Sequence, residues 1–297
     1  MQQSDHSPVR EFPVADAQAG PYGITSGADG ALWLTFVHSG EIARLTLDGE
    51  VSRYPVDAAC RPSIITQGPD GALWFSRSAD HHIGRITLDG TLTAFPLPEP
   101  GGAPFGICAG PDDALWFTEM NTDRIGRITT QGEIIHFALP TQGAFPSMIT
   151  SGPDGALWFT LNQANAIGRI DVGGTVTLHG LPTADAAPVG ITRGADDGLW
   201  FVEIAAGQIG RLDVDGTIHE FPLPDRAAKP HAITAAPTGD CWFTEWGANR
   251  IGRVTPAGEI TEYDLPTPSS EPHALTVGPD GALWTALETG AVARLAP

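Results

Sequence analysis

Two histidines of this 297-residue chain sit in near-identical settings, KPHAIT at 229–234 and SEPHALT at 270–276. An imidazole ionises near pH 6.5, so each can take or give a proton at working pH. Glu271 stands two residues before His273, and Glu288 follows in the same stretch of chain. If the turn Gly278–Gly281 is a two- or four-residue hairpin loop, Glu271 lies opposite Glu288 across two antiparallel strands. His273, two residues along, then shares their face. A loop one residue longer or shorter spoils that register. Like charges so opposed destabilise a sheet by a few tenths up to about 1 kcal/mol, and a divalent cation would offset this. Mg²⁺ is the expected ion, because it is commonly bound through one or two carboxylates with waters completing its shell. A histidine beside such a cation suits removal of a proton from carbon next to a carbonyl, where the cation stabilises the enolate-like charge. The same groups would serve a metal-assisted hydrolysis, and spacing leaves both reactions open. The chain has no GxSxG elbow and no Ser/His/Asp set, which argues against a nucleophilic hydrolase.

The elements that must position these residues follow from a repeat. Tryptophan falls at 33, 74, 116, 158, 200, 242 and 284, a period of 41 to 42 residues, with Trp246 alone outside the series. A proline precedes each by twelve residues, from Pro21 to Pro272, and an arginine follows each by eleven, or by ten in the last copy. The copy from Pro104 reads PFGICAGPDDALWFTEMNTDRIGRITTQGEIIHFALP. Its short strand-like runs GIC, ALWFT, RIGRIT and EIIHF are separated by GPDD, MNTD and TQG, which carry the residues tight turns need. Four strands per repeat of about 42 residues predict an all-β, seven-bladed β-propeller of four-stranded antiparallel blades, one domain over 1–297. The last copy stops soon after Arg294 and lacks an outer strand. Phe12 falls in the aromatic slot held elsewhere by Tyr54, Phe95, Phe137, Phe221 and Tyr263, so 9–14 is expected to complete the last blade.

With strands a to d running outward, the d-to-a and b-to-c connections share one face. The residue after the marker proline varies there: Tyr22, Ser63, Phe105, Ser147, Val189, His231 and His273. Closure brings Tyr22 of blade one beside blade seven, so Tyr22, His231 and His273 are expected to cluster at the mouth of the channel. His136, His179 and His219 fall in outer strands and are expected to face solvent. His6, His38, His81 and His82 lie in the tail or in loops and are given no role. Glu119, Glu203 and Glu245 recur three residues after their tryptophans and read as part of the repeat. Trp246, paired with Lys229, is divided between ligand platform and core.

Composition bounds the rest. With 35 acidic against 16 basic residues the formal net charge is −19, which argues against a nucleic-acid partner, because phosphate contacts need clustered Lys and Arg. No window approaches eighteen continuous apolar residues, so no membrane-spanning helix is expected. Met1 to Pro8 lack a basic segment followed by an apolar one, and a cytoplasmic monomer is expected. Cys60, Cys108 and Cys241 have no CxxC or Cys/His spacing, so neither a disulfide framework nor a zinc site is implied.

Through GPYGIT at 20–25, KPHAIT at 229–234, WFTEWGANRIGR at 242–253 and SEPHALT at 270–276, the chain resembles the virginiamycin B lyase (streptogramin B lyase) family. The resemblance runs through all seven blades. It implies a Mg²⁺-dependent lyase that linearises streptogramin B-type cyclic depsipeptide antibiotics by elimination at the ester, conferring resistance. On that resemblance His273 is the general base, Glu271 and Glu288 hold the metal, His231 contacts substrate and Tyr22 supplies an aromatic contact. The last blade departs from the pattern at LETGAVAR, which is a residue short. The rivals are a metal-dependent propeller lactonase, which would add water across the ester, and a non-catalytic propeller that docks a peptide or protein.

Overall fold

A computed structural model describes residues 8–296; Met1–Ser7, including His6, and Pro297 lie outside the described residues. Among these, seven four-stranded antiparallel sheets follow one another around a ring. Blade one is built from Pro21–Ser26, Leu32–Phe36, Glu41–Leu45 and Val51–Pro55, from the channel outward. Strand b is covered on both faces by the neighbouring blades, which is why runs such as LWLTF and LWFTL are buried throughout. The outer strands of blades one and two are half-buried at best, with the exposed pairs Ser52–Arg53 and Thr93–Ala94.

The repeat markers have a shared physical task. In blade three, Trp116 donates its ring N–H to Asp112 of the a-to-b turn at 2.9 Å, and the other oxygen of Asp112 accepts from Arg127 Nε at 2.6 Å. Each marker tryptophan also lies against the ring of its own outer strand, as Trp116 does against Phe137 at 5.4 Å between centroids. In blade four the slot is filled by His179, 5.3 Å from Trp158. The expectation of a solvent-facing His179 is therefore corrected, because an imidazole is flat enough to cover the indole. His136 is corrected too: its Nε2 lies 2.9 Å from the buried Glu119 carboxylate. His219 is exposed beside Asp213 as expected.

The ring closes as the sequence predicts. Val9–Pro13 pairs antiparallel with Ala291–Leu295, Val9 opposite Leu295 and Pro13 opposite Ala291. Phe12 covers Trp284 at 5.7 Å. On the channel side Ser26 Oγ donates to the Val277 carbonyl at 2.8 Å, joining the inner strands of blades one and seven.

Every inner strand contains a bulge just after its marker proline. In blade three the hydroxyl of Thr118 accepts from Gly106 N at 2.9 Å inside that bulge and donates to the Ser147 carbonyl of the next blade at 2.6 Å. Thr35 makes the same bridge from blade one to blade two. The residue before each marker proline is left-handed: Gly20, Arg61, Ala103, Phe145, Ala187, Lys229 and Glu271, the six non-glycines at φ between 48° and 53°. L-residues enter this region at a cost of roughly 1 kcal/mol, so the d-to-a connection is held in shape by the strands around it.

Candidate metal and proton-transfer site

The bulge decides where the candidate side chains point. The three ring-bearing residues predicted to cluster do so: the Tyr22 ring lies 4.3 Å from His273 and 6.1 Å from His231, and the two imidazoles are 5.2 Å apart. Phe105 of blade three continues the aromatic wall, 6.2 Å from Tyr22. Behind the bulges runs a channel cavity of about 170 Å³, lined by apolar residues such as Ile24, Ile64, Met148, Ile191 and Leu275. Its walls offer few groups to a charge, so the polar chemistry is confined to the mouth.

Glu271 and Glu288 meet, but by another route than the turn alone. Gly278 N donates to the Ala282 carbonyl at 2.8 Å, so the loop has three residues, with Gly281 left-handed at φ 75°. The expected two- or four-residue loop is thus corrected; this is a three-residue turn closed by a glycine in the left-handed region. The register it sets would miss Glu288 by one position. The bulge between Pro272 and Leu275 inserts the missing residue, and Glu288 N donates to the Glu271 carbonyl at 3.2 Å. Glu271 is itself left-handed at φ 51°, so it reaches the site by that backbone turn rather than by strand alternation.

One ligand atom each from Glu271, His273 and Glu288 lie within 4.8 Å of one another, the one such triplet of His, Cys, Asp and Glu among the described residues. His273 Nε2 is 2.5 Å from Glu288 Oε2. Because a carboxylate only accepts, Nε2 carries the hydrogen and a neutral imidazole keeps its lone pair on Nδ1, which is buried without a partner. That bond, more than anything else, holds the Glu288 carboxyl well below the usual carboxylate range, against the opposing effect of partial burial. The two carboxylates suit a hard divalent cation that keeps most of its water shell, with the Nε2–H of His273 beside them as a hydrogen-bond donor and not as a ligand.

His231 differs from its twin. Burial, reinforced by the neighbouring His273, pushes its pKa down to about 3, only partly opposed by Glu288. It is a neutral imidazole, with Nδ1 buried and unpartnered. Burial likewise raises the Tyr22 phenol, so it stays protonated and available as a hydrogen-bond donor.

The sequence reading gave His38 no role, yet its Nε2 lies 2.7 Å from Glu288 Oε1. The usable signal was positional: His38 sits in a b-to-c turn on the same face, in the blade that closure sets beside blade seven. Glu119, Glu203 and Glu245 are fully buried but point elsewhere. Thr122 donates to Glu119 at 2.6 Å and Gln208 to Glu203 at 2.7 Å, while Glu245 faces Arg250 across 3.9 Å. Their partners belong to strands b to d and the adjoining turns of their own blades. Trp246 is partly buried, with the Lys229 ammonium 5.0 Å over its ring.

The model of the virginiamycin B lyase family matches residues 7–295. Virginiamycin B lyase from Saccharopolyspora erythraea is 60% identical over 50 residues, 17% of this chain and 17% of that protein; the alignments to the curated relatives span about a sixth of their length. Among solved structures, virginiamycin B lyase from Staphylococcus aureus superposes with a TM-score of 0.93 at 45% identity, covering 96% of this chain and 98% of that one. A catalytically inactive histidine-to-alanine variant of the S. aureus enzyme, solved with quinupristin, matches equally well, at 45% identity over the same shares of both chains. The WD40 propeller of Doa1, at 11% identity and a TM-score of 0.78, shares the fold alone. The family model spans nearly all of the ring that brings Tyr22, His231, Glu271, His273 and Glu288 together, and the chain belongs to the virginiamycin B lyase family.

Proposed function

We propose that this chain is a Mg²⁺-dependent carbon–oxygen lyase that opens streptogramin B-type cyclic depsipeptides at their ester by elimination. The observation that carries the reading is the Glu271, His273 and Glu288 triplet beside two further rings at one mouth of the propeller. The quinupristin-bound relative supports the substrate class.

In this reading His273 removes the α-proton of the threonine residue whose side-chain oxygen forms the ester. The electron pair becomes a Cα–Cβ double bond, the Cβ–O bond breaks, and the carboxylate leaves; no water is added. Glu288 accepts from His273 Nε2, which orients the ring and stabilises the imidazolium that forms. Glu271 and Glu288 would hold Mg²⁺, which when bound supplies a positive charge near the carbonyl oxygens of the reacting residue and the ester. His231, neutral, and the Tyr22 phenol bind the substrate's polar groups, and the aromatic wall excludes water from the carbanion. The protein is proposed to act as a cytoplasmic monomer.

The test is incubation of purified protein with a streptogramin B, with Mg²⁺ and with EDTA, followed by mass analysis. The expected product has the mass of the substrate and contains dehydrobutyrine, and EDTA abolishes its formation. A product heavier by one water would assign the chain to hydrolysis instead.

A further inference from the structure

We propose that His38 is a positioning residue for Glu288, holding one oxygen of that carboxylate so that the rest of it is presented to His273 and to a cation. The proposal deepens the reading above and rests on it for the role given to Glu288. The geometry joins opposite ends of the chain: His38 Nε2 in blade one reaches Glu288 Oε1 in blade seven at 2.7 Å, while Oε2 is taken by His273 at 2.5 Å. Each oxygen of Glu288 therefore has its own imidazole, and the plane of the carboxylate is fixed. A carboxylate has about four lone-pair sites, so the two bonds leave acceptor capacity for a metal ion.

Two independent features show that His38 is placed rather than stranded in a loop. The first is its slot. Five residues after the marker tryptophan the other blades carry Ala79, Asn121, Gln163, Ala205, Gly247 and Thr289. An imidazole occurs there only in blade one, which closure sets against Glu288. The second is Gly20. Its six counterparts before the marker prolines all carry a side chain, whereas a Cβ on Gly20 would fall 2.9 Å from His38 Cγ and closer still to Cδ2. The glycine leaves the space the ring occupies. The backbone holds the arrangement from below, with Val37 N donating to the Gly20 carbonyl at 2.8 Å and His38 N to the Ala19 carbonyl at 3.1 Å.

Residues that orient metal-binding side chains change metal affinity or activity about 10- to 100-fold when removed. The test compares wild type, His38→Leu and His38→Gln, since a glutamine amide can donate to the same oxygen and a leucine cannot. Thermal midpoints confirm that all three are folded. The first readout needs neither metal nor substrate: the downfield proton resonance of His273 Nε2–H, hydrogen-bonded to Glu288. It should be lost or broadened by solvent exchange in His38→Leu and restored in His38→Gln. The second is Mn²⁺ affinity by electron paramagnetic resonance without substrate, expected to weaken about 10- to 100-fold in His38→Leu and to recover in His38→Gln. Turnover should follow affinity at low Mg²⁺, with kcat falling more than KM rises. Retention of the resonance at wild-type intensity in His38→Leu overturns the proposal. A wild type that takes up no Mn²⁺, with the resonance responding as expected, would count against the cation reading alone.

Discussion

His231 and His273 occupy the same slot of neighbouring blades, 5.2 Å apart, and their surroundings divide their chemistry. His273 is hydrogen-bonded to a carboxylate that can stabilise a positive ring, whereas His231 is half-buried beside that ring and held neutral by desolvation, with a pKa of about 3. The carboxylate partner of His273, which His231 lacks, is what singles it out as the base. His273→Ala should therefore lower kcat about 10²- to 10⁴-fold with little change in substrate affinity. Single-turnover kinetics together with equilibrium binding of the antibiotic check this, and an active variant would move the base elsewhere. Most of the cluster was legible in the sequence because the proline marker numbers the slot. His38 was not, since its partner lies 250 residues away and meets it only through closure.

Among the elements, the inner-strand bulge does what strand periodicity could not. The sequence suggested that Glu271 and Glu288 face each other, and they do. The turn that was meant to align them has a different length, and the bulge restores the pairing. A bulge leaves little trace in a single sequence, because the hydroxyls that accept its main-chain N–H groups, such as those of Thr35 and Thr118, read as ordinary strand residues. The ends of strands b yield a separate prediction. Burial raises the carboxyl of Glu203 from 4.5 to about 7, with the nearby Glu220 adding to the shift and the Gln208 bond opposing it. Between those values the folded chain keeps a proton that the unfolded chain releases, so stability falls as pH rises through the window. Glu203→Gln should remove that part of the slope, up to about 3 kcal/mol. Denaturation midpoints at pH 5 and pH 8 provide the measurement; an unchanged difference between them would mean that Glu203 is ionised in the fold.

For the whole molecule, fold and closure were readable because three markers kept one beat and the piece missing at one end was present at the other. Phe12 fills the slot that numbering from Tyr54 assigns to it. Deleting residues 8–14 should strip the cover from Trp284 and leave Ala291–Leu295 as an open edge. The aromatic contact and the partial burial of Phe12 are together worth about 1–2 kcal/mol, so Tm should fall by at least a few degrees. An unchanged Tm would show that the blade stands with three strands. Glu288 follows Leu283–Leu287 in that blade and meets His38 from blade one, so the truncation should weaken the proposed Mn²⁺ affinity as well as stability.

Pairing Val9–Pro13 with Ala291–Leu295 also sets an order of events on the ribosome. The strand Val9–Pro13 is made before the other strands of the ring and is the last to find its place, because its partner Ala291–Leu295 follows every other described strand in the chain. Tyr22 and His38 wait with it for His273 and Glu288. An incomplete chain, however many blades it has stacked, therefore carries no assembled site, and the contact of His38 with Glu288 forms only when the circle is finished.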